Sequence, residues 1–478
     1  QNLLVRSQAL YPVELQAQVL KKIIACYQLK NYINYHLMSK NILNNQLFIK
    51  NFFNYLLAMF PLSFILGNTI INLNIIFLII SSFYFFKSSI FKLNFILLDK
   101  LIFAFFCLII FNGIINDVYF LNHHKEFAHW KGAFKTFLKS LGYLRFLIFY
   151  IVLRYLIEKK ILNLKIFFIS CTFFLTFVCF DIFFQLYFGR DIFGFEPIGR
   201  KFPGPFGEEA ISGGYILRFS LISLFIYPLF FKNNSKSLFF LFLIIFLIIC
   251  PLAILISGNR MSLILFILLS FSVLVFQKDL RKYFFPYIFA SSLIFLLAFN
   301  FNDKVKNNFK NFSYQISEIY SFITKEDFEQ KKLKNLNTYL DQFKSFNITW
   351  EKNKYFGGGI KNFRYNCHLA KDPKTDSNYV CNMHPHNYYL EILTETGIAG
   401  FLLVSLIFLS TIFETFKQIY IGNFHRNYNI VTPFIFLFII EIFPIKGTGS
   451  FFTTSNAAYL FLIFGILSGL IRSNIKKL

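Results

Sequence analysis

The 478-residue chain is too apolar for a soluble fold: 56% of its residues are hydrophobic, and its mean hydropathy is +0.54. A soluble core of this size cannot hide so many apolar side chains, so they must face lipid. The formal net charge of +24 could indicate nucleic-acid binding. The Lys and Arg residues stand mostly in short connections between apolar runs, however, where they set membrane topology, so we expect no nucleic-acid partner.

The first 37 residues precede the first methionine, Met38. We expect translation to begin at Met38 and residues 1–37 to be an upstream extension or a non-native segment. They contain no apolar core of signal-peptide length and no small-residue cleavage pattern. A cytoplasmic amphipathic helix around residues 13–26 is the alternative.

About twelve apolar runs follow, each close to the roughly 20 residues that a helix needs to cross a bilayer. They predict an all-α, polytopic integral membrane protein with nine spans in residues 38–300 and three in residues 388–478. The predicted spans are 49–66, 70–86, 101–115, 139–157, 164–186, 213–231, 237–256, 262–276, 283–300, 388–411, 429–445 and 458–471.

Basic residues in the short loops predict the orientation, because such loops are enriched in Lys and Arg on the cytoplasmic side. They fall on one side of the predicted bundle: Lys87, Lys92, Lys159, Lys160, Lys232, Lys236, Lys278, Arg281, Lys282, Arg472, Lys476 and Lys477. The polar segment 301–387 then lies in the periplasm. Its apolar residues have helical spacing, so we expect a large loop of amphipathic helices there.

The strongest motif is HPHNYYLEILTETGIAG, which begins at His384 and runs into the tenth predicted span. His386 and Asn387 are followed, after nine residues, by Gly397 and then Gly400. This spacing resembles the signature of the O-antigen ligase and polymerase superfamily of polytopic membrane glycan transferases.

Four other segments, in the same order along the chain, are similar to segments of that family, so the resemblance covers most of the chain from Met38. They are RKFPGPFGEEAISGGY from Arg200, SGNRMSLILF from Ser257, WEKNKYFGGGIKNFR from Trp350 and FPIKGTGSFF from Phe443. One departure concerns the first segment. The family usually places one Arg about four residues before a Phe-Gly-type turn, whereas here Arg200 and Lys201 are both candidates.

The resemblance implies that His386 is a general base, which suits a side chain with a near-neutral pKa. It also implies that Arg260, with Arg200 or Lys201, binds the pyrophosphate of a lipid-linked donor, since guanidinium groups bind phosphate oxygens bidentately. The alternatives are a helix-capping His386 and an ordinary interfacial Arg260. His384 could compete with His386 for the base role, but the motif spacing selects His386.

Four further polar residues are predicted to support the site: Asn387, Glu391, Glu395 and Arg218. Asn387 is expected to cap the tenth span or to orient its neighbour. Glu391 and Glu395 share one helix face below the base, because they stand four residues apart. They either shape the His386 cavity and accept hydroxyls of the acceptor sugar, or pair with Arg218 or Arg145 to assemble helices.

Cys367 and Cys381 are the only cysteines of the predicted periplasmic loop, and that compartment is oxidising, so we expect a disulfide between them. The nearby His and Cys residues match no metal-ligand spacing. A mechanism with two cationic side chains requires neither a metal ion nor a cofactor.

The resemblance to this family implies a metal-independent, inverting transfer of a glycan from a polyprenyl-pyrophosphate donor to a lipid A-core sugar hydroxyl. The reaction would take place in the bilayer, at the periplasmic face of the bacterial inner membrane. Polymerisation of lipid-linked units by the same chemistry is the close alternative. A transporter, for example of bicarbonate, would need polar residues at mid-membrane depth, whereas the signature residues here cluster at one face.

Overall fold

The computed structural model describes residues 46–123, 134–199, 201–230, 236–301, 338–370, 386–420, 428–444 and 449–475, with isolated positions that include Cys381, His384 and Lys446. Residues 1–37, Arg200 and most of 302–337 lie outside this part. Contacts divide the chain into two units, 1–55 and 56–478. The first unit is described only at 46–55, where it is helical. Apart from the bounds of the helix that begins at Gln46, the description below concerns the second unit.

The described residues form helices, which we number α1 to α14 in chain order. Their bounds are Gln46–Leu66 (α1), Asn68–Phe86 (α2), Leu97–His123 (α3), Lys135–Glu158 (α4), Leu164–Phe188 (α5), Ser212–Phe230 (α6), Leu238–Ser257 (α7), Arg260–Phe276 (α8), Phe284–Phe301 (α9), Thr338–Lys352 (α10), Phe363–Ala370 (α11), Tyr388–Tyr420 (α12), Tyr428–Glu441 (α13) and Thr454–Ile475 (α14).

The prediction of an all-helical polytopic membrane protein is confirmed. Each of the twelve predicted spans overlaps a helix, although the span predicted at 429–445 extends past the end of α13 at Glu441. Among the described residues, eight helices are long and apolar enough to cross a membrane: α1 to α5, α7, α12 and α14. Shorter apolar stretches occupy Ser212–Ile226, Arg260–Phe276 and Ile430–Glu441. The total of twelve spans and the side of the membrane on which segment 301–387 lies stay predictions.

Helix α14 lies at the centre of the bundle, since 89% of its most apolar window is buried. Gly465 and Gly469 face α4 across a very close contact. A Cβ atom would lie 2.9 Å from Leu153 at the first glycine and 2.7 Å from Ile157 at the second. Small residues four apart allow two membrane helices to approach at backbone distance, which strengthens their van der Waals packing.

A buried ion pair ties this centre to α3. Arg154 of α4 lies 2.5 Å from Asp99 of α3, and both side chains are almost fully buried. Tyr150 donates its one hydroxyl proton to Asp99 at 2.6 Å, and its hydroxyl oxygen lies 3.2 Å from Oγ of Ser468 in α14, within hydrogen-bond distance. Charges inside an apolar bundle persist when they are paired, and here Arg154 and Asp99 pair with each other.

Helix α12 is interrupted at Gly397, whose backbone (φ +67°, ψ −170°) is not helical. The polar groups freed there pair with the segment 354–359. Ile398 and Ala399 donate their N–H groups to Lys354 and Tyr355 at 2.9 and 3.1 Å. In return, Thr394 and Glu395 accept from Gly358 and Gly359 at 3.0 and 2.9 Å. Backbone groups without partners are costly in an apolar environment, so this pairing fixes the segment on the helix.

Glycine is required on both sides of this contact. A Cβ at Gly397 would lie 2.3 Å from the backbone of Tyr355, and a Cβ at Gly357 would lie 2.4 Å from that of Glu395. Both residues also have positive φ angles, +67° and +74°, which side chains disfavour. The glycines at 357–359 and the Gly-x-x-Gly motif that begins at Gly397 therefore lie on the two sides of one close backbone contact.

Replacing Gly397 with Ala should destabilise the protein by about 3 kcal/mol or more, because it adds backbone strain to a steric clash. The matched control is Gly142→Ala in α4, where the new Cβ would meet only Arg145 at 3.7 Å. That variant should stay within about 1 kcal/mol of wild type. Thermal unfolding of the purified protein in detergent measures both, and equal melting temperatures would contradict the assigned contact.

Candidate active site

His386 occupies the turn immediately before α12. Its backbone is in the left-handed region (φ +54°), and its side chain is partly buried. The ring lies 4.5 Å from that of His384, centroid to centroid, and makes no hydrogen bond to any residue that the structure describes. Burial lowers the pKa of His386 below its ordinary value. The imidazole is therefore neutral at pH 7 and can accept a proton.

Asn387 caps α12, as its position in the motif suggests. Its Oδ1 accepts hydrogen bonds from the N–H groups of Tyr389 at 3.0 Å and Leu390 at 3.2 Å. Its Nδ2 donates to the carbonyl of Pro444 at 2.8 Å. Tyr389 donates from its hydroxyl to the carbonyl of Ile442 at 2.5 Å. The residues that follow His386 thus attach the start of α12 to the turn after α13.

A cluster of charges lies at this attachment, around Glu441 at the end of α13. Oε1 of Glu441 accepts from Tyr388 at 2.7 Å and from Nη2 of Arg218 at 2.6 Å. Nζ of Lys446 lies 2.6 Å from the same oxygen. Arg218 also donates to Asn456 of α14 at 2.6 Å. Four segments of the bundle therefore meet at one carboxylate.

The cluster carries more positive than negative charge. Two cations, Arg218 and Lys446, share one carboxylate, which gives +2 − 1 = +1. The side chains of Arg218, Lys446 and Glu441 are only 14%, 7% and 2% exposed. Burial lowers the pKa of Lys446 to about 8, although Glu441 opposes the shift. The ammonium group is still charged at pH 7.

Sequence reasoning named Arg218 but missed its partners. Glu441 lies near the end of a predicted span and was not assigned to the site, and Lys446 entered only as part of the FPIKGTGSFF segment. The signal that could have found them was the presence of an acidic residue and a lysine five positions apart at the end of one apolar run.

Glu391 and Glu395 hold loops in place. Glu391 accepts from Oγ of Ser450 and from the N–H of Phe451, both at 2.5 Å. Glu395 accepts from the N–H of Lys361 at 2.6 Å. Neither forms an ion pair with Arg218 or Arg145 in the part of the chain that the structure describes. Instead, Arg145 donates to Asn72 at 3.0 Å and to Thr454 at 3.3 Å.

Arg260 is the first residue of α8. The turn before it packs against the start of α6, where a Cβ at Gly213 would lie 2.6 Å from Asn259 and 2.9 Å from Ser257. Helix α6 carries Arg218 five residues after Gly213. The same helix therefore contacts the Arg260 turn and supplies a cation to the Glu441 cluster.

Lys201 lies in an exposed turn in which Ile198 and Lys201 exchange backbone hydrogen bonds of 3.0 Å. The neighbouring candidate, Arg200, is outside the described residues. Gln185 of α5 holds the loop on either side of this turn. Its Nε2 donates to the carbonyl of Phe195 at 3.1 Å, and its Oε1 accepts from the N–H of Gly204 at 3.0 Å.

The structure contains a disulfide between Cys367 and Cys381. It connects α11, which packs on α12 through Glu395, to the segment that leads to His386. Among the residues that the structure describes, no group of three or more His, Cys, Asp or Glu side chains could hold a metal ion. Independence from metal stays a prediction.

Replacing Glu441 with Gln should destabilise the protein by about 3–5 kcal/mol, because it leaves two buried cations without a counter-charge. Glu414→Gln in α12 is the control, and it should change stability by at most about 0.5 kcal/mol. Adding Lys446→Met to Glu441→Gln removes one of the stranded charges. The double variant should melt above the single one, and a lower melting temperature would argue against the charge balance described here.

Replacing both Cys367 and Cys381 with Ser should lower stability by about 3 kcal/mol, since the bridge closes a loop with a sequence separation of 14. The matched control is Cys107→Ser, which alters an exposed free thiol. Thermal unfolding with and without reductant measures the effect. If reductant lowered the melting temperature of the double variant as much as that of wild type, the effect would not come from this bridge.

Residues 243–405 match the model of a protein family described as O-Antigen ligase. The matched part runs from α7 into α12 and includes Arg260, His386 and Asn387. A search of the curated proteins gives no match. The resemblance predicted from the sequence is confirmed over residues 243–405, which are similar to the O-antigen ligase family, a family of membrane glycosyltransferases.

Proposed function

We propose that this chain is a glycosyltransferase that moves a glycan from a polyprenyl-pyrophosphate donor to a sugar hydroxyl of a lipid A-core acceptor. The observation that carries the proposal is that the residues matched to the O-antigen ligase family include a partly buried histidine before α12, His386, and a cation at the start of α8, Arg260. Burial lowers the pKa of His386, so its ring is neutral at pH 7 and can take a proton. A guanidinium group can stabilise a pyrophosphate leaving group, so these two residues supply the two tasks of such a transfer.

In the proposed reaction, the acceptor hydroxyl attacks the anomeric carbon of the donor sugar while a ring nitrogen of His386 takes the hydroxyl proton. The bond between the anomeric carbon and the phosphate oxygen breaks, and its electron pair leaves with the pyrophosphate. Attack opposite the leaving group inverts the anomeric centre. Arg260, with Arg200 or Lys201, neutralises the developing charge, so the proposal requires no metal ion.

We place this reaction at the periplasmic face of the inner membrane. The support is that His386, Glu441 and Thr454 stand at helix ends that meet in the bundle. The short basic loops belong to the opposite helix ends, which the distribution of Lys and Arg assigns to the cytoplasm. A donor whose lipid tail lies in the bilayer presents its pyrophosphate at this depth.

Replacing His386 with Ala should lower the rate of transfer by about 10²–10⁴-fold, the usual contribution of a general base, and leave donor binding intact. Wild-type kcat/KM should fall only below about pH 6.5, because burial lowers the pKa of His386 and keeps it neutral down to that pH. His123→Ala, at an exposed histidine, is the control. Full activity of His386→Ala would refute the assignment of the base.

The assay measures transfer of a lipid-linked glycan by purified protein, with and without EDTA, to lipid A-core or to a second lipid-linked unit. Product on lipid A-core identifies a ligase, whereas elongation of the lipid-linked unit identifies a polymerase. Arg260→Ala should weaken donor binding as well as turnover, since its guanidinium is proposed to hold phosphate before and during the reaction. Loss of activity with EDTA would contradict independence from metal.

A further inference from the structure

Lys446 is a buried cation of the Glu441 cluster whose hydrogen bonding is incomplete among the described residues. Its Nζ lies 2.6 Å from Oε1 of Glu441, and beyond this contact the ammonium group makes no hydrogen bond to a described residue. The ring of Tyr388 lies 5.0 Å away. An ammonium group has three donors, so two of its protons have no acceptor among the residues that the structure describes.

The carboxylate cannot supply the missing acceptors. Its Oε1 already accepts from Arg218 and Tyr388, and a carboxylate oxygen offers about two lone-pair directions. The other oxygen, Oε2, accepts from Nε of Arg218 at 3.2 Å. The described residues thus leave one positive charge unbalanced and two donors of Lys446 without an acceptor, although its side chain is only 7% exposed.

The surroundings favour a negative ligand. Helix α14 begins at Thr454, and its first turn contributes Asn456, which accepts from Arg218 at 2.6 Å. The N-terminus of a helix carries partial positive charge and adds to that of the two cations. Asn387, next to His386, bonds to Pro444, two residues before Lys446. A group bound at Lys446 would therefore lie next to the turn that carries His386.

We propose that Lys446 and Arg218 form an anion subsite that binds a phosphate group of the polyprenyl-pyrophosphate donor, in addition to the cations at Arg260 and the 200–201 turn. The inference rests on the proposed function and names two further ligands of the donor. It explains why the cluster holds two cations for one carboxylate. A purely structural ion pair would need only Arg218 and Glu441.

The two roles of Lys446 predict opposite effects of Lys446→Met on the protein without ligand. If Lys446 only stabilised the fold, its removal would lower the melting temperature. If the charge of Lys446 serves to bind a ligand, replacing Lys446 with Met leaves a neutral Arg218–Glu441 pair and removes a buried excess charge. The melting temperature should then stay the same or rise.

The experiment measures binding of glycan-free undecaprenyl pyrophosphate to the full chain in neutral detergent, by titration and by the shift in melting temperature. Lys446→Met should weaken binding about tenfold or more, the usual effect of losing one charge-assisted hydrogen bond. Lys446→Arg should bind within about threefold of wild type, because it keeps the charge. Lys159→Met, at an exposed lysine, is the control and should bind like wild type.

Glu441→Gln provides a second test in the opposite direction. This variant raises the excess charge by one, so undecaprenyl pyrophosphate should increase its melting temperature more than that of wild type. A smaller increase would overturn the proposal. This test does not depend on whether the Lys446→Met variant folds.

Two further results would also overturn the proposal. One is unchanged affinity of Lys446→Met for undecaprenyl pyrophosphate. The other is that Lys446→Met binds phosphatidylglycerol nanodiscs more weakly than wild type does but binds undecaprenyl pyrophosphate equally well. That result would assign the subsite to a membrane lipid. Neither result touches the proposed function, which depends on transfer by wild type and on its loss in His386→Ala.

Discussion

The arrangement of the site depends on one constraint: a helix interrupted in an apolar bundle must find partners for its freed backbone groups. Helix α12 is interrupted at Gly397, and the segment 354–359 supplies those partners through four backbone hydrogen bonds. The same contact brings Glu395 to the N–H of Lys361, just before α11. The disulfide from Cys367 to Cys381 then continues the connection toward His386.

Below His386, the first turns of α12 fix two other segments. Residues 387–389 bond to the 441–444 turn, and Glu391 bonds to Ser450 and Phe451. These segments carry Lys446 and lead into α14. One helix start therefore sets the position of the histidine relative to the buried cations. Changes at Gly397 or Glu391 should affect the site without touching a substrate.

Much of the fold could be predicted from the sequence, because apolar runs of spanning length permit only helices in lipid. The motif also suggested the capping role of Asn387, which the structure shows, while the role of His386 stays a prediction. The partner of Arg218 could not be predicted, because it depends on which helices are neighbours. The sequence pointed to Glu391 and Glu395, yet α13 supplies Glu441. The contact between Gly357 and Gly397 was hidden for the same reason, since it joins backbones forty residues apart.

Burial lowers the pKa of both the proposed base, His386, and the proposed phosphate ligand, Lys446, but the two groups end in different protonation states at pH 7. It lowers the pKa of His386 from 6.5 and that of Lys446 from 10.5 to about 8. The histidine is thereby neutral at pH 7, as a base must be, while the lysine is still charged, as a phosphate ligand must be. In the proposed reaction, the leaving pyrophosphate gains negative charge as its bond to the anomeric carbon breaks. That charge, held at Lys446, would raise the pKa of both groups and favour protonated His386, so leaving-group binding and proton transfer would support each other.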